Sequence, residues 1–172
     1  CVLCNDAAVS ETERIGDPTE LALVDFAEAH HLNRKELRTD MPRIDEVSFD
    51  SKRKMMTTLH QSRHGKISYT KGAADRVISK CTHILINQKR IPLTDIHKRQ
   101  IMIAMEEMSA QALRVLAIAM CPNVTAPKEE GLTFLGLTGM IDPARPEAKE
   151  AVRTFREAAV DTIMITGDRV DT

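Results

Sequence analysis

Residues 51–72 read SKRKMMTTLHQSRHGKISYTKG, and this stretch indicates the fold more clearly than any other part of the chain. Segments 55–60 and 66–71 each have the length of a β-strand. The five residues between them end in Gly65, as hairpin loops often do. The pattern therefore predicts an antiparallel hairpin whose second strand ends at Gly72.

The same stretch carries charge of one sign. From Ser51 to Lys71 it holds six basic residues and no carboxylate, although the whole chain has 24 Lys and Arg against 25 Asp and Glu. Phe49 precedes it and Gly72 follows it. Basic side chains attract phosphates, an aromatic ring offers a stacking face, and glycine lets the backbone approach a ligand closely. These residues favour a ligand that joins a flat base to phosphates; the alternative is a solvated hairpin with basic residues facing outward.

Composition narrows the class of protein. A chain of 172 residues with 42% hydrophobic residues is long enough for one domain, or for one domain and part of another. Its net charge of -1 argues against a general nucleic-acid-binding protein, so no nucleic-acid partner is expected. The sequence shows no signal peptide, and the densest apolar run, 115–120, is too short to span a bilayer. Because the first residue is Cys and not Met, we expect the chain to be part of a longer protein.

The four cysteines favour a reduced environment. Cys1 and Cys4 form a single C-x-x-C pair with no second pair and no histidine nearby. Reduced thiols are therefore favoured over a zinc or redox site, and no metal site is predicted.

Local signals predict the elements around the hairpin. Asp17 is a helix cap followed by Pro18, and Glu20 lies three residues after the cap, so a helix is expected to run to about His30. Residues 32–46 are charged and irregular in pattern. Downstream, the sequence predicts a short helix over 73–80, a hairpin of strands 82–87 and 90–93, a helix from the Thr94 cap to about Ala110, and a buried strand over 113–120.

The composition changes after residue 121. Residues 122–131 contain two prolines and Gly131, which is typical of a linker. A predicted strand over 132–139, a helix over 146–158 and a strand over 162–165 then have the lengths of a parallel crossover unit.

The predicted fold class is therefore α+β with two units. Residues 1–128 are expected to form an antiparallel sheet flanked by helices. Residues 129–172 are expected to be the start of a Rossmann-like, doubly wound α/β domain.

Polar residues follow the predicted strand ends of the second unit. Thr166, Gly167 and Asp168 come just after the last strand, where open α/β sheets place ligand sites. An ordinary loop is the alternative for these three residues. Asp142 and Arg145 also follow a strand end, and an ordinary helix start is the alternative for these two.

Arg114 begins the apolar strand predicted over 113–120. Because burying an unpaired guanidinium is prohibitive, it must reach solvent, a carboxylate or an anion.

Seven short motifs, taken together and in this order, resemble the cytoplasmic signature of a P-type cation-transporting ATPase. They are GDPTELAL at 16–23, FDSKRKMM at 49–56, KGA at 71–73, KCTH at 80–83, LRVLA at 113–117, DPAR at 142–145 and TGD at 166–168. The second and third motifs resemble the calcium-pump branch in particular. The resemblance covers almost the whole chain, and it implies a nucleotide-binding domain followed by part of a phosphorylation domain of the haloacid-dehalogenase type.

The resemblance implies an adenine pocket in the first unit. Phe49 would stack on the base and Glu20 would lie at its edge, while Lys54, Lys71 and Gly72 would line the pocket.

Four further positions are implied to lie nearer the phosphates. Arg114 would reach the polyphosphate and Leu116 would pack beside it. Asp142 and Arg145 would lie near the ribose and phosphates at the junction of the two domains. The implied catalytic residues, which would face the phosphorylated aspartate, are Thr166, Gly167 and Asp168.

The function implied by the resemblance belongs to a longer parent protein. That parent would bind ATP and ADP and transfer the γ-phosphoryl group to an aspartate with Mg²⁺. It would couple this reaction to transport of a cation, calcium by resemblance, across a membrane, with this part on the cytoplasmic side. Its phosphorylation, actuator and transmembrane domains would be the partners of this chain.

The chain alone is expected to be inactive. It contains neither an Asp-Lys-Thr-Gly-Thr nor a Gly-Asp-Gly-x-Asn-Asp element. Two alternatives remain: a haloacid-dehalogenase-type phosphatase, which would explain residues 131–172 but not Phe49, Lys54 or Lys71, and a non-catalytic module that binds adenine nucleotides.

Overall fold

A seven-stranded mixed sheet dominates the computed structural model, which describes residues 1–10, 12–141 and 146–163. Over these residues the elements follow one another as β1 (Ala8–Val9), β2 (Arg14–Ile15), α1 (Pro18–Ala29), α2 (Arg34–Asp40), β3 (Arg43–Asp50), β4 (Met55–Ser62), β5 (Gly65–Ala73), α3 (Ala74–Ser79), β6 (Cys81–Ile86), β7 (Lys89–Pro92), α4 (Asp95–Ala110), β8 (Arg114–Pro122), β9 (Leu132–Met140) and α5 (Pro146–Glu157). The large sheet has the strand order β3-β4-β5-β8-β9-β6-β7, and β1 pairs with β2 in a separate ribbon.

The hairpin predicted from residues 51–72 is confirmed. Strands β4 and β5 pair antiparallel without a register break, from Met55 opposite Gly72 to Ser62 opposite Gly65. Gly65 has a φ of 115°, a conformation that favours glycine and allows the tight turn. Strand β5 continues the antiparallel pattern by pairing with β8.

Strand β9 corrects the prediction that residues 132–139 open a second sheet. It lies within the large sheet, antiparallel to β8 and parallel to β6. Residues 123–131 therefore form a long connection between two neighbouring strands and do not separate two sheets. A continuous apolar run predicts a buried strand without indicating which sheet buries it.

Among the described residues, the parallel crossover unit predicted over residues 132–165 is matched only in its helix, since β9 belongs to the large sheet. Helix α5 matches the expectation for 146–158, but Thr162 and Ile163 are not in a strand. The rest of the strand predicted over 162–165 lies outside the described residues.

Residues 32–46 are also more regular than predicted. They contain helix α2 and the beginning of β3. Asn33 caps α2, because its side-chain oxygen accepts hydrogen bonds from the backbone N–H groups of Lys35 at 2.9 Å and Glu36 at 3.3 Å. No residue of α2 is buried, so the helix has no apolar period by which a sequence pattern would reveal it.

The main core lies where helices α3 and α4 meet the sheet. Val77 of α3, Ile101 and Met105 of α4, and Leu132 and Phe134 of β9 belong to one buried cluster. Full burial of an aliphatic side chain stabilises a fold by about 1.5–3 kcal/mol, so these contacts hold β9 firmly in the middle of the sheet.

The predicted starts of α1 and α4 are confirmed by their caps. The Asp17 side chain accepts a hydrogen bond from the Thr19 N–H at 2.8 Å. Thr94 and His97 form a reciprocal capping box at the start of α4. Together with Pro18 in the first turn, the Asp17 cap fixes the direction in which the side chains of that turn point.

Candidate functional site

A cleft of about 290 Å³ lies where the first turn of α1 meets the ends of several sheet strands. Six of the nine predicted nucleotide-binding residues line it: Glu20, Phe49, Lys71, Gly72, Arg114 and Leu116. Four further residues line the cleft and were not predicted as site residues: Asp6, Asp17, Thr19 and Met56. The volume is near the small end of the usual range for ligand pockets, about 300–1,000 Å³, and suits part of a nucleotide more than a whole one.

The Asp17 cap sets the first wall of the cleft. The hydrogen bonds from Thr19 hold the pKa of the Asp17 carboxyl below its ordinary value, and the positive charge of Arg114 contributes to the same direction. Asp17 is therefore ionised at neutral pH and faces the cationic side of the cleft. Because Glu20 lies three residues later in the same turn, the cap also fixes the backbone that carries it.

Glu20 is held at both carboxylate oxygens. The Lys71 Nζ lies 2.5 Å from Glu20 Oε1, and the Asp6 backbone N–H donates to Glu20 Oε2 at 3.1 Å. The side chains of the pair are only 7% and 14% exposed. The charge of Lys71 is therefore neutralised within the protein, and this end of the cleft presents an oriented carboxylate and not a free ammonium.

A segment near the start of the chain supports this arrangement. Asn5 is fully buried, and its side-chain amide donates to the Glu20 backbone carbonyl at 2.8 Å. Arg38 and Arg43 each donate to the Asn5 carbonyl at 2.8 Å. No local sequence pattern reveals this role, because every partner of Asn5 except Ala7 is at least 15 residues away.

Phe49 lies at an irregularity in the pairing of β3 with β4. Val47 is opposite Thr57 and Asp50 is opposite Met55, so Ser48 and Phe49 together face a single residue of β4. Bulges of this kind redirect a side chain. Phe49 is 63% exposed although it lines the cleft, so its side chain is accessible to a ligand there.

Gly72 is required by the protein backbone itself. A Cβ atom at this position would lie 2.4 Å from the Lys54 carbonyl oxygen and 2.6 Å from the Met55 Cβ. From the sequence, this glycine was expected to allow close approach of a ligand to the backbone. The structure gives an additional and stronger reason, which is the close approach of β4.

Lys54 is the one described member of the predicted set that does not line the cleft. Its side chain is exposed, and its backbone has a φ of 55°, in the left-handed region. Its carbonyl accepts the Ala73 N–H at 2.9 Å. The backbone of Lys54 thus closes the end of the hairpin while its side chain extends into solvent.

The basic stretch 51–71 carries fewer unpaired positive charges than its sequence indicates. Three of its six basic residues pair with carboxylates from other parts of the chain: Lys71 with Glu20, Arg53 with Glu129, and Arg63 with Asp40. Within the described ranges, Lys52, Lys54 and Lys66 have no such partner. The fold can therefore neutralise half of the charge of a segment that has no carboxylates of its own.

Arg114 and Leu116 lie at the start of β8. Leu116 is opposite Ala73, next to Gly72, and Arg114 is exposed to solvent. In the part of the chain that is described, Arg114 forms no ion pair, so its guanidinium is available to an anion at the cleft. This agrees with the requirement that an arginine at this strand end reaches solvent or an anion.

The remaining predicted residues cannot be assigned to this cleft. Asp142, Arg145, Thr166, Gly167 and Asp168 all lie outside the described residues.

The cysteines are free thiols, and three of them, Cys4, Cys81 and Cys121, are buried. Burial raises the pKa of Cys81 to about 12 and also raises the pKa of Cys4, so both are protonated at neutral pH. Across residues 1–10, 12–141 and 146–163, no three His, Cys, Asp or Glu side chains are grouped to hold a metal ion. None of the described helices is long and apolar enough to cross a membrane.

Comparisons with known proteins agree with the resemblance in the motifs. The family model described as P-type ATPase, cytoplasmic domain N, matches residues 1–147. The chain is 44% identical over 176 residues to calcium-transporting ATPase 1 of Bacillus cereus and 37% identical over 178 residues to a calcium-transporting ATPase of Listeria monocytogenes. It is 33% identical over 181 residues to the sodium/potassium-transporting ATPase subunit alpha of Hydra vulgaris.

The alignments include 99% of this chain for both bacterial relatives and 95% for the Hydra protein. The chain spans only 20% of the bacterial relatives and 18% of the Hydra relative. The cleft, the motifs and the family match over residues 1–147 lead to one conclusion: this chain belongs to the P-type ATPase family.

Proposed function

We propose that the cleft binds the adenine end of ATP and ADP, within a longer pump that couples ATP hydrolysis to cation transport. This proposal rests on one observation: Phe49 lines the same cleft as the ion pair of Glu20 and Lys71. An exposed aromatic ring offers a stacking face for a base. The carboxylate of Glu20, fixed at both oxygens, offers an acceptor to an exocyclic amino group.

The phosphates are proposed to extend toward Arg114. Its guanidinium is exposed at the cleft, whereas the charge of Lys71 is already neutralised. A cleft of about 290 Å³ suits a base more than a whole triphosphate, so the phosphates are expected to project from it. We retain Lys54 as a proposed contact near the adenine base, and Asp142 and Arg145 as proposed contacts of the ribose and phosphates.

The proposed reaction belongs to the longer parent. An aspartate in that parent would receive the γ-phosphoryl group, and Thr166, Gly167 and Asp168 would face it. Mg²⁺ would accompany ATP in the parent, and the described residues contain no group of three potential metal ligands of their own. Positioning and charge stabilisation do most of the work in phosphoryl transfer, so binding and orienting ATP is the contribution proposed for this chain.

We propose calcium as the transported cation and a membrane location, with this part on the cytoplasmic side. The names of the bacterial relatives support calcium, whereas the Hydra relative is named for sodium and potassium. The domain division is likewise a proposal. Because β9 belongs to the large sheet, we place the end of the nucleotide-binding domain after Met140, and the start of a haloacid-dehalogenase-type domain beyond it.

Titration calorimetry of the chain with ATP, ADP and GTP in EDTA tests the binding proposal. We expect ATP and ADP to bind without magnesium and GTP to bind more weakly, since its O6 is an acceptor where adenine has an amino donor. Absence of adenine-nucleotide binding, or strict dependence on magnesium, would contradict the proposal.

A separate experiment tests the inactivity of the chain alone. After incubation with γ-labelled ATP and acid quenching, no hydroxylamine-sensitive label is expected on it. Such a label would identify an acceptor aspartate within these residues and favour the phosphatase alternative.

A further inference from the structure

The connection 123–131, between β8 and β9, contacts the turn that follows Phe49. Arg53 in that turn donates through Nη1 to Glu129 Oε1 at 2.5 Å, across 76 residues of sequence. The side chains of Arg53 and Glu129 are 34% and 20% exposed, so the pair is partly shielded from water. It therefore differs from the solvated ion pairs that contribute little to a fold.

Arg53 also contacts the residues on both sides of Phe49. Its Nη2 donates to the Ser48 carbonyl at 2.7 Å, and its backbone N–H donates to Asp50 Oδ1 at 2.9 Å. The pairing of β3 with β4 is irregular between Val47 and Asp50, so the regular ladder does not fix this stretch. The contacts of Arg53 replace the missing ladder there.

Glu129 is itself held in place by residues of the β4–β5 hairpin. The Thr57 hydroxyl donates to Glu129 Oε1 at 3.1 Å, and Thr57 lies 2.8 Å from the Thr70 hydroxyl oxygen. Both threonines are fully buried in β4 and β5. The carboxylate is thus anchored to the centre of the hairpin, and it orients the Arg53 guanidinium that holds the Phe49 backbone.

We propose that Glu129 is a positioning residue, which acts through Arg53 to hold the Phe49 ring in the orientation that stacks on the nucleotide base. This inference rests on the proposed function for its ligand. It makes Arg53 an anchor of the aromatic residue and not a phosphate ligand, because its Nη1 and Nη2 donate to Glu129 and to the Ser48 carbonyl, and its Nε lies 4.0 Å from Asp50 Oδ1.

The absence of tryptophan from the chain provides a direct test. Phe49→Trp introduces a single tryptophan at the position of interest, and Glu129→Ala and Glu129→Gln are then made in that background. Glu130→Ala is the matched control, because Glu130 lies in the same connection but pairs with Lys80, away from the turn.

Without nucleotide, we expect Glu129→Ala to lower the fluorescence anisotropy of the tryptophan, Glu129→Gln to lower it less, and Glu130→Ala to leave it unchanged. Glu129→Ala is also expected to lower the affinities for adenosine and for ATP by the same factor, about threefold to tenfold. This is the size of effect expected when residues in one network of contacts are energetically coupled. Circular dichroism establishes that each variant is folded, and the Gln variant serves if the Ala variant is not.

Two results would overturn the inference. Unchanged anisotropy in both Glu129 variants would show that Glu129 does not position the ring. A change in ATP affinity without a change in adenosine affinity would show that Arg53 contacts the phosphates. The proposed function is tested separately. If neither the unmodified chain nor the Phe49→Trp variant binds adenine nucleotides, the proposed function is refuted. The role of Glu129 in positioning the ring is still tested, because the anisotropy comparison needs no ligand.

Discussion

Lys71 Nζ lies 2.5 Å from Glu20 Oε1, and this contact joins the end of a strand to the first turn of a helix 51 residues earlier in the chain. Each side chain is more than four-fifths buried. A buried charge that loses its partner is costly, whereas removal of both charges together can be nearly neutral. The pair therefore links the stability of the domain to the integrity of its cleft.

Breaking the pair on one side is expected to destabilise the protein. We predict that Lys71→Met or Glu20→Leu alone lowers the free energy of unfolding by about 3 kcal/mol, and that the double variant recovers most of the loss. Urea unfolding measures this. The exposed pair of Arg63 and Asp40 is the control, with an expected effect below about 1 kcal/mol. Additive losses in the double variant would mean that the two charges do not stabilise each other.

Phe49→Ala should weaken ATP, ADP and adenosine by the same factor. All three ligands share the adenine base, and a stacked aromatic ring contributes about 1–3 kcal/mol, or roughly tenfold or more in affinity. Ile96→Ala is a matched control, because Ile96 is 69% exposed on α4 and does not line the cleft. Equal small losses for both variants, measured by calorimetry, would indicate that Phe49 does not stack.

Arg114→Ala, unlike Phe49→Ala, should weaken the binding of ATP more than the binding of adenosine. ATP affinity is expected to fall by about tenfold, while adenosine affinity stays within a factor of two, because charge-assisted hydrogen bonds to phosphate contribute about 1.5–3 kcal/mol. Arg99→Ala, at an exposed position on α4, controls for loss of one positive charge. If adenosine weakens as much as ATP, Arg114 is a structural residue.

Gly72→Ala is predicted to destabilise the hairpin. The added Cβ would lie 2.4 Å from the Lys54 carbonyl oxygen, so β4 must move, at a cost of about 1–3 kcal/mol. Gly136→Ala is the comparison, since a Cβ at Gly136 in β9 meets no atom within 4 Å. Thermal unfolding of the two variants should therefore differ by several degrees, and equal melting temperatures would refute the steric argument.

His60 is expected to make the protein less stable in mild acid. The ring is 1% exposed; Nδ1 lies 3.0 Å from the Met41 carbonyl oxygen and Nε2 lies 2.9 Å from the Thr58 hydroxyl. Burial lowers the pKa of His60 below its ordinary value of 6.5, and the nearby charges of Arg43 and Arg38 lower it further. Well above pH 6.5 the histidine is neutral in both the folded and the unfolded chain.

As the pH falls below 6.5, the unfolded chain takes up the proton first, and stability is progressively lost. Urea unfolding at pH 7.5 and pH 5.5 should show a larger loss in the natural chain than in a His60→Gln variant. Identical pH dependence in the two proteins would exclude this role for His60.

Local sequence signals predicted the helices and strands that are determined by neighbouring residues in the chain. The hairpin of β4 and β5 follows from strand-length segments and a glycine turn, and α1 follows from the Asp17 cap with Pro18. Helix α2 was missed because none of its residues is buried. Strand β9 was recognised as a strand but assigned to the wrong sheet, because an apolar run does not specify its neighbours.

The candidate site shows the same division. Phe49, Glu20 and Lys71 were singled out by their side-chain chemistry and by the motif resemblance. The structure brings all three to one cleft, and their role in nucleotide binding stays a prediction. The contributions of Asn5 and Asp6 were not predictable, because they arise from a loop that three-dimensional contacts bring against α1. The neutralisation of half the basic stretch was hidden for the same reason, since its carboxylates come from distant segments.

The position of β9 has a consequence for how the chain acquires its structure during synthesis. Residues 132–140 are the last strand described, yet they lie between β8 and β6 and join the group β3-β4-β5-β8 to the pair β6-β7. Until these residues leave the ribosome, both groups have an unpaired edge, which is where non-native association begins. A nascent chain that stalls before residue 132 is therefore exposed to aggregation although six of the seven strands are already made.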